Sequence, residues 1–527
     1  MASSGPVSRA RAGNVLDHVE AKWPGLAAIP VPEIEADARS RTVPRQIPTS
    51  TRPPEQRSLH VSHRTGIPNV AQRDHIRAFP HPVRASMPLN LQRLPREPAD
   101  RLTRPFARFL RIEAASGIVL LLCATVAMAL SNSPWSTPYL AFWETTIGFQ
   151  WGEADFSHSI KHWLNDGAMT LFFFVVALEL KRETVLGELR NMQTTAFAMA
   201  AALGGMLVPA LLFIIVDGKA TPRGWGIAMA TDTAFVIGCL ALLGSRIPHS
   251  LRLFLLSLAI FDDIGAILVI AIGYGSGLHW GALGWAASGL AAIAALSRIG
   301  VRPVAVYVAI GGLVWLAMHQ SGIHPTLTGV ILGFMTPTKI WVSDIRLQAI
   351  LGKVMAYPAG AHWSGDTRDR RDLYRAGIAT REAISPLERI ELSLHPWVAF
   401  AVLPLFALAN AGFSVSPGEI DWRLTTAVVI GLSCGKPLGI VLFSYLATRF
   451  NLGVRPDGLS WPLITAGAML AGIGFTMALL IAELALGPDR LNSAKLGILS
   501  ASVLSGALGL SVLVWLTSAE RGPAADP

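Results

Sequence analysis

Two adjacent carboxylates inside an apolar run are the first feature of this sequence able to do chemistry. Asp262 and Asp263 lie between Leu253–Ile260 and Ile264–Ile272, which are largely apolar. Neighbouring carboxylates there resist being ionised together, because desolvation and mutual repulsion both favour the protonated form. They would titrate as a coupled pair. Their oxygens are also hard ligands suited to a small cation. A site that holds either protons or a cation, and not both, supplies the minimal chemistry of ion exchange. The competing reading is a structural ion pair between Asp262 and Lys436. The two readings are compatible if Lys436 pairs in one state and releases in another.

Other ionisable residues interrupt apolar stretches, where charge is costly and usually functional. Asp232 lies in Met229-Ala230-Thr231-Asp232-Thr233. The side chains of Thr231, Asp232 and Thr233 compete for backbone hydrogen bonds, which predicts a helix break. Half-helix N-termini are partly positive. Asp232 therefore reads as charge compensation in preference to a ligand. Gly472 and Gly474, in Ala471-Gly472-Ile473-Gly474-Phe475-Thr476, mark a second weak point. Close packing of small residues is the ordinary alternative there. Lys436, in Gly435-Lys436-Pro437, is placed to offset the negative half-helix ends. Asp166 opens another apolar run. Glu179 and Glu183 lie one turn apart on one helix face beside Arg182. They suit a mouth that gathers cations or senses pH, or else a solvated interface. His324 and His395 adjoin Pro325 and Pro396 and read as capping or packing residues.

These groups need a scaffold that holds charge inside an apolar body. Of the 527 residues 52% are apolar and only 15% charged, against roughly 25% charged in soluble domains. Ala114–Ser131, Thr194–Val216, Ile264–Leu278 and Leu424–Gly435 carry no Lys, Arg, Asp or Glu. A bilayer core takes about 20 apolar residues per spanning helix. The chain therefore reads as an all-α polytopic membrane protein. About twelve spans are expected, at 112–131, 163–181, 194–216, 224–244, 252–275, 279–297, 303–319, 321–337, 395–413, 424–448, 461–484 and 494–517. Spans three to five and ten to twelve each form a triplet whose middle helix, span 4 or span 11, is broken. That pattern predicts inverted repeats with an ion site at the midplane.

The net charge of +9 belongs to one end. Residues 1–111 hold 18 Lys/Arg and 9 Asp/Glu, and the remainder balances. The excess therefore does not describe a folded nucleic-acid face. Residues 1–105 are rich in Pro, Arg and Ser without an apolar run, a composition that cannot fold alone. They lack the apolar segment of a signal peptide. They read as a disordered basic cytoplasmic tail, or as sequence upstream of a true start at Met87. Residues 106–517 form the transport domain and 518–527 a short tail.

Loop charge sets the expected orientation. One alternating set of loops, including the long charged segment 338–394, holds 18 Lys/Arg and the other holds 6. Positive loops face the cytoplasm, so both termini are expected there. The opposite side carries 132–162. Within it Glu144–Phe156 alternates around Trp151-Gly152-Glu153 and suggests a short hairpin. Cys123, Cys239 and Cys434 sit in apolar stretches, and an odd count there argues against a disulfide framework.

From about Phe109 to about Trp515 the sequence resembles the NhaA-type sodium/proton antiporters. Seven blocks occur in that family's order: HWLNDGAMTLFFFVVALELKRE at 162–183, MATDTAFVIGCLALLGSRIP at 229–248, LFLLSLAIFDDIGAILVIAIGY at 253–274, SGIHPTLTGVILGF at 321–334, HPWVAFAVLPLFALANAG at 395–412, GKPLGI at 435–440 and GIGFTM at 472–477. The resemblance implies a secondary transporter of the bacterial inner membrane, without an enzymatic activity or a resident cofactor. It implies that Asp262 and Asp263 bind Na+ and exchange protons, with Thr231 and Asp232 in the broken fourth helix. It implies Lys436 near the midplane, and Glu179, Arg182 and Glu183 in a cytoplasmic funnel linked to pH response. Exchange would be electrogenic, two protons per sodium, with lithium also carried, in the service of pH and sodium homeostasis. The hairpin at 144–156 would be a homodimer contact. Three features depart from the family: the N-terminal hundred residues, an insert near Tyr357–Ala379, and Ala471 where many relatives have Cys.

Two rival classes remain at this level. An intramembrane aspartyl protease would use aspartates on separate spans, such as Asp232 and Asp263. Neither sits in a Gly-x-Gly-Asp motif, and Lys436 would have no role. A sodium-coupled symporter would need a pocket for an organic solute.

Overall fold

The computed structural model describes residues 113–519 except 149, 152–153, 156, 186, 188–191, 219, 276, 357–367, 415–417 and 419. The expected N-terminal extension 1–105, the tail beyond 519 and much of the 357–379 insert lie outside the described residues, as do Gly152, Glu153 and Phe156 of the expected hairpin.

Helix α1 (Glu113–Ser131) bends by 115° into α2 (Ser136–Glu144). Four two-residue strands follow: β1 (Thr146–Ile147), β2 (Gln150–Trp151), β3 (Ala154–Asp155) and β4 (His158–Ser159). Thr146 pairs with Ser159 and Gln150 with Asp155, both antiparallel. A hairpin is present, and its outer rung extends to Ser159, three residues past the expected limit.

The chain then enters a long helical run: α3 (Ile160–Trp163), a π-helical segment (Leu164–Ala168) and α4 (Met169–Val185). Helix α5 (Met192–Asp217) leads to a 3-10 segment (Gly224–Met229), three non-helical residues, and α6 (Thr233–Leu243). Helices α7 (His249–Gly273), α8 (Trp280–Ile299), α9 (Val304–Gln320) and α10 (Thr326–Met335) complete the first part.

Two short helices, α11 (Asp344–Met355) and α12 (Arg368–Glu382), precede α13 (Pro386–Trp397), which continues through a π-helical segment (Val398–Val402) into α14 (Leu403–Ala411). Helix α15 (Trp422–Ile430) continues through a third π-helical segment (Gly431–Gly435) into α16 (Lys436–Arg449). Helices α17 (Trp461–Ala471) and α18 (Phe475–Ala485) meet at a bend of 47°, and α19 (Pro488–Ala519) ends the described chain.

Among the described residues, eight helical runs are long and apolar enough to cross a membrane, or up to ten if each bent pair counts once. Helices α9 and α10 are apolar but shorter. The expected span boundaries shift in several places. The second run begins at Ile160 and reaches Val185. The ninth begins at Pro386, nine residues before the expected start, so His395 lies well inside a helix and not at its entry. The cause is local: Ser385 and Glu388 form a reciprocal capping box around Pro386, which satisfies two otherwise orphaned amides. The expected loop 338–394 is thus largely helical.

Large apolar side chains point outward along the runs, among them Leu122, Leu211, Ile272, Val308, Leu313 and Val503. The buried set contains Asp166, Thr231, Asp232, Asp262, Asp263, Lys436 and Lys495. Apolar outside with charge inside is the distribution a bilayer demands. Small residues let the central helices touch. A Cβ on Gly204 of α5 would lie 2.2 Å from the Gly439 carbonyl of α16, so only glycine permits that approach.

Candidate functional site

The two interrupted helical runs meet at their breaks. The Asp232 amide donates to the Ile473 carbonyl at 2.7 Å, joining one non-helical segment to the other. Gly472 and Gly474 make this possible. A Cβ at Gly472 would sit 2.6 Å from the Leu432 carbonyl, and one at Gly474 would sit 3.0 Å from the Ala230 carbonyl. Close backbone approach is therefore the reason for both glycines.

Asp232 serves two helix starts at once. Its Oδ1 accepts from the Phe235 amide at 3.1 Å, capping α6. Its Oδ2 accepts from the Thr476 amide at 3.0 Å and the Thr476 hydroxyl at 2.7 Å, at the start of α18. A buried carboxylate between two N-termini is stabilised by both partial positive charges. These three accepted hydrogen bonds tie Asp232 into the scaffold at both helix starts.

The C-terminal ends at the breaks are served by other groups. Lys436, fully buried at 0% exposure, donates from Nζ to the Met229 carbonyl that ends the 3-10 segment. The Thr231 hydroxyl lies 3.2 Å from the Ala471 carbonyl that ends α17. Lys436 thus meets one negative half-helix end, and Thr231 meets the other.

Helix α7 brings the aspartate pair to this crossing. Lys436 Nζ lies 3.1 Å from Asp262 Oδ2, and the Thr231 hydroxyl lies 2.5 Å from the same oxygen. Asp262 Oδ1 is buried and makes no hydrogen bond among the described residues. Asp263 is also buried, and its Oδ2 has the Thr233 hydroxyl at 3.4 Å. The neighbours are therefore unequal: Asp262 has a cation and a hydroxyl, while Asp263 has one long hydroxyl contact. A buried charge needs pairing or it neutralises. Of the three carboxylates at the crossing, Asp263 is the one whose ionised form has the least support from the protein.

Glu179, Arg182 and Glu183 lie at the far end of α4. Arg182 donates to Glu183 Oε1 from Nε at 3.3 Å and from Nη2 at 3.0 Å, and it also pairs with Glu391 of α13. Glu179 Oε1 lies 3.8 Å from His395 Nε2. The geometry is an interhelical charge cluster joining α4 to α13. Asp166 lies at the opposite end, in the π-helical segment, six residues inside its helical run. Asp166 faces His162, His319 and His324.

Several participants escaped the sequence reading. Thr476 lies in the GIGFTM segment with no chemistry evident from its neighbours, and only the crossing explains it. Glu391 falls within the expected loop 338–394. The Ser385-x-x-Glu388 capping signature would have moved it into a helix. Glu483, paired with Lys161 at 2.7 Å and Lys495 at 3.1 Å, lies within an expected apolar span. Intramembrane charge alone could have flagged it.

Residues 107–513 match the protein family described as Na+/H+ antiporter 1. The chain is 59% identical over 433 residues to the Na(+)/H(+) antiporter NhaA of Rhizobium meliloti (strain 1021), covering 82% of this chain and 99% of the relative. It is 54% identical over 434 residues to the Na(+)/H(+) antiporter NhaA 1 of Acidiphilium cryptum (strain JF-5), covering 82% and 97%. It is 49% identical over 434 residues to the Na(+)/H(+) antiporter NhaA 2 of Vibrio vulnificus (strain CMCP6), again covering 82% and 97%. A solved sodium proton antiporter of Methanocaldococcus jannaschii aligns over 80% of this chain and 96% of its own at 16% identity, with a TM-score of 0.40.

Proposed function

The chain belongs to the Na+/H+ antiporter 1 family, and on that premise we propose that it expels Na+ from the cytoplasm in exchange for external H+. The exchanger works as a secondary active transporter in a bacterial inner membrane, in the service of pH and sodium homeostasis. It carries Li+ as well, and it imports two protons per cation. It uses no resident cofactor and binds no nucleic acid. Twelve spans accommodate the eight long helical runs, the two bent pairs and the two shorter helices α9 and α10. The 3-10/α6 and α17/α18 breaks are the broken fourth and eleventh spans of inverted repeats, and both termini are cytoplasmic.

The observation that carries this reading is the unequal support of the Asp262–Asp263 pair where two interrupted helices cross. Na+ is the substrate, held by carboxylate oxygens of Asp263 and Asp262, which are hard donors of the right charge. Asp263 is the principal ligand, because little else compensates its charge. Asp262 divides its time between the cation and Lys436. When protons occupy the pair, the cation loses its negative ligands and leaves. When the protons depart, cation affinity returns.

Thr231 couples the two ends of this cycle. Its single hydroxyl hydrogen lies between two acceptors, Asp262 Oδ2 and the Ala471 carbonyl. Ionised Asp262 claims that hydrogen. Protonated Asp262 can donate instead, which frees the Thr231 hydroxyl for the end of α17. Proton binding is thereby felt at the helix break.

Glu179, Arg182 and Glu183 form the cytoplasmic funnel that gathers cations and responds to pH, with Glu391 as a further member. The hairpin of residues 144–156 is a homodimer contact, and the exposed strand β1 supports that role.

The test is exchange in vesicles containing the full chain and a trapped pH dye. NaCl, LiCl or KCl is added under an imposed proton gradient. Na+ and Li+ should collapse the gradient. A gradient untouched by both from mildly acidic to alkaline pH sinks the proposal.

A further inference from the structure

A second cluster of chemistry-bearing side chains lies away from the aspartate pair, where α3 and the π-helical segment meet the end of α9. His162 Nε2 lies 3.3 Å from His319 Nε2 and 3.3 Å from Asp166 Oδ2. His319 Nε2 lies 3.7 Å from the same Asp166 oxygen. The donor nitrogens of His158, His162 and His319 all lie within 4.8 Å of one another. Nitrogen and oxygen ligands about 2.0–2.1 Å from one tetrahedral ion are about 3.4 Å apart. Three edges of such a polyhedron are thus already close to formed.

We propose that His158, His162, His319 and Asp166 form a binding site for a divalent transition metal of the zinc class. Three imidazoles and one carboxylate suit Zn2+, Co2+, Ni2+ or Cu2+ and not Na+, which prefers an all-oxygen shell. The site is therefore chemically distinct from the proposed transport site and stands on different elements from the aspartate pair. It does not depend on the exchange reading.

The local chain presents these ligands in register. His162 and Asp166 are four residues apart in one helical run and lie on one face. His158 precedes His162 by four residues and opens strand β4. The centroid of its ring is 4.4 Å from that of His162 and 5.1 Å from that of His319. His158 would have to turn so that its nitrogen closes to about 3.4 Å from the other ligands.

The frame around the cluster is rigid. Trp163 stacks on Trp315 at a centroid distance of 5.9 Å. Trp315 Nε1 donates to the Thr170 hydroxyl at 2.9 Å. Both contacts fix α9 against the α3–α4 run. Behind the ligands, His324 Nε2 faces Asp166 Oδ1 at 3.8 Å, and its Nδ1 is paired with the Thr326 hydroxyl at 2.7 Å. The 3.8 Å separation from Asp166 exceeds a hydrogen bond, so His324 stands as a neighbour of the site and not as one of its ligands. The entry path is open, since the His162 and His319 side chains are 42% and 26% exposed. With four protein ligands the coordination is closed, so the metal would clamp α9 to the α3–α4 run and catalyse nothing.

The experiment uses the full chain, purified without a polyhistidine tag and stripped of metal with a chelator. CoCl2 is titrated in and followed by visible absorption, and ZnCl2 is then added in competition. One equivalent of Co2+ should give the intense visible bands of a four-coordinate ion, and Zn2+ should abolish them. His162→Gln and His319→Gln should each weaken binding at least tenfold. His249→Gln, on α7, should leave it unchanged. Size-exclusion elution identical to the parent certifies that each variant is folded. Should His162→Gln misfold, His158→Gln and the parent spectrum decide. Absence of four-coordinate bands in the parent overturns the proposal, as do bands that survive in both His158→Gln and His319→Gln.

Discussion

Thr476 donates to Asp232 twice, from its amide at 3.0 Å and from its hydroxyl at 2.7 Å, across a sequence separation of 244 residues. One carboxylate thereby caps α18 as well as α6. Each helix cap contributes about 1 kcal/mol. Asp232→Ala removes two caps at a buried crossing and should lower stability by about 2 kcal/mol or more. Thermal unfolding in detergent measures this. Thr476→Val should reproduce part of the loss, because it removes the hydroxyl and keeps the amide. Equal melting temperatures for parent and Asp232→Ala would refute the double-cap account.

Lys436 and Asp262 are a buried ion pair, and the two single losses should not add. Removing one partner leaves an uncompensated buried charge, which costs about 3–5 kcal/mol. Lys436→Met alone should therefore destabilise strongly. Asp262→Asn combined with Lys436→Met should recover most of the lost melting temperature while exchange remains absent. A double variant less stable than Lys436→Met would contradict this pairing.

Asp263→Asn should abolish Na+-dependent proton flux while the protein stays folded and inserted. The neutral amide keeps the shape and can still meet Thr233, but it neither exchanges a proton nor carries the charge a cation needs. Retained exchange in that variant would move the ion site elsewhere.

Cation and protons competing for one pair of carboxylates make apparent affinity depend on pH. By linkage, each proton displaced on binding changes the apparent Km for Na+ by about tenfold per pH unit in the range where the pair is protonated. The sign is fixed: Km falls as pH rises. A slope near minus two in log Km against pH is expected in vesicles, and a flat profile would exclude direct competition.

Gly472→Ala should disturb the crossing, whereas Gly487→Ala should be silent. The first Cβ would meet the Leu432 carbonyl and the Ser505 hydroxyl, both at 2.6 Å, and the second would meet nothing within 4 Å. Overpacking of this kind costs about 1–3 kcal/mol. Expression yield, melting temperature and exchange rate compared between the two variants provide the check.

Composition and apolar patterning specify the solvent of this protein and mark the carriers of its chemistry. Charge-free runs such as Thr194–Val216 leave no soluble alternative, and charges as costly as Asp262, Asp263 and Lys436 stand out against them. Local competition for backbone bonds located the break at Thr231–Thr233, and paired glycines located the one at Gly472–Gly474. How these pieces meet is a matter of long-range packing. That Asp232 faces Thr476, that Lys436 reaches both Asp262 and the Met229 carbonyl, and that Thr231 lies between two acceptors are contacts between residues far apart in the chain. No local period or propensity encodes them. The helix containing Glu391 is masked in the sequence by its charges, which lower its mean apolarity below that of a spanning run, although its capping box is legible. The gathering of His158, His162 and Asp166 around His319 depended on the packing of α9 against a helical run more than 150 residues away in sequence. Spacing alone offered only half of that cluster.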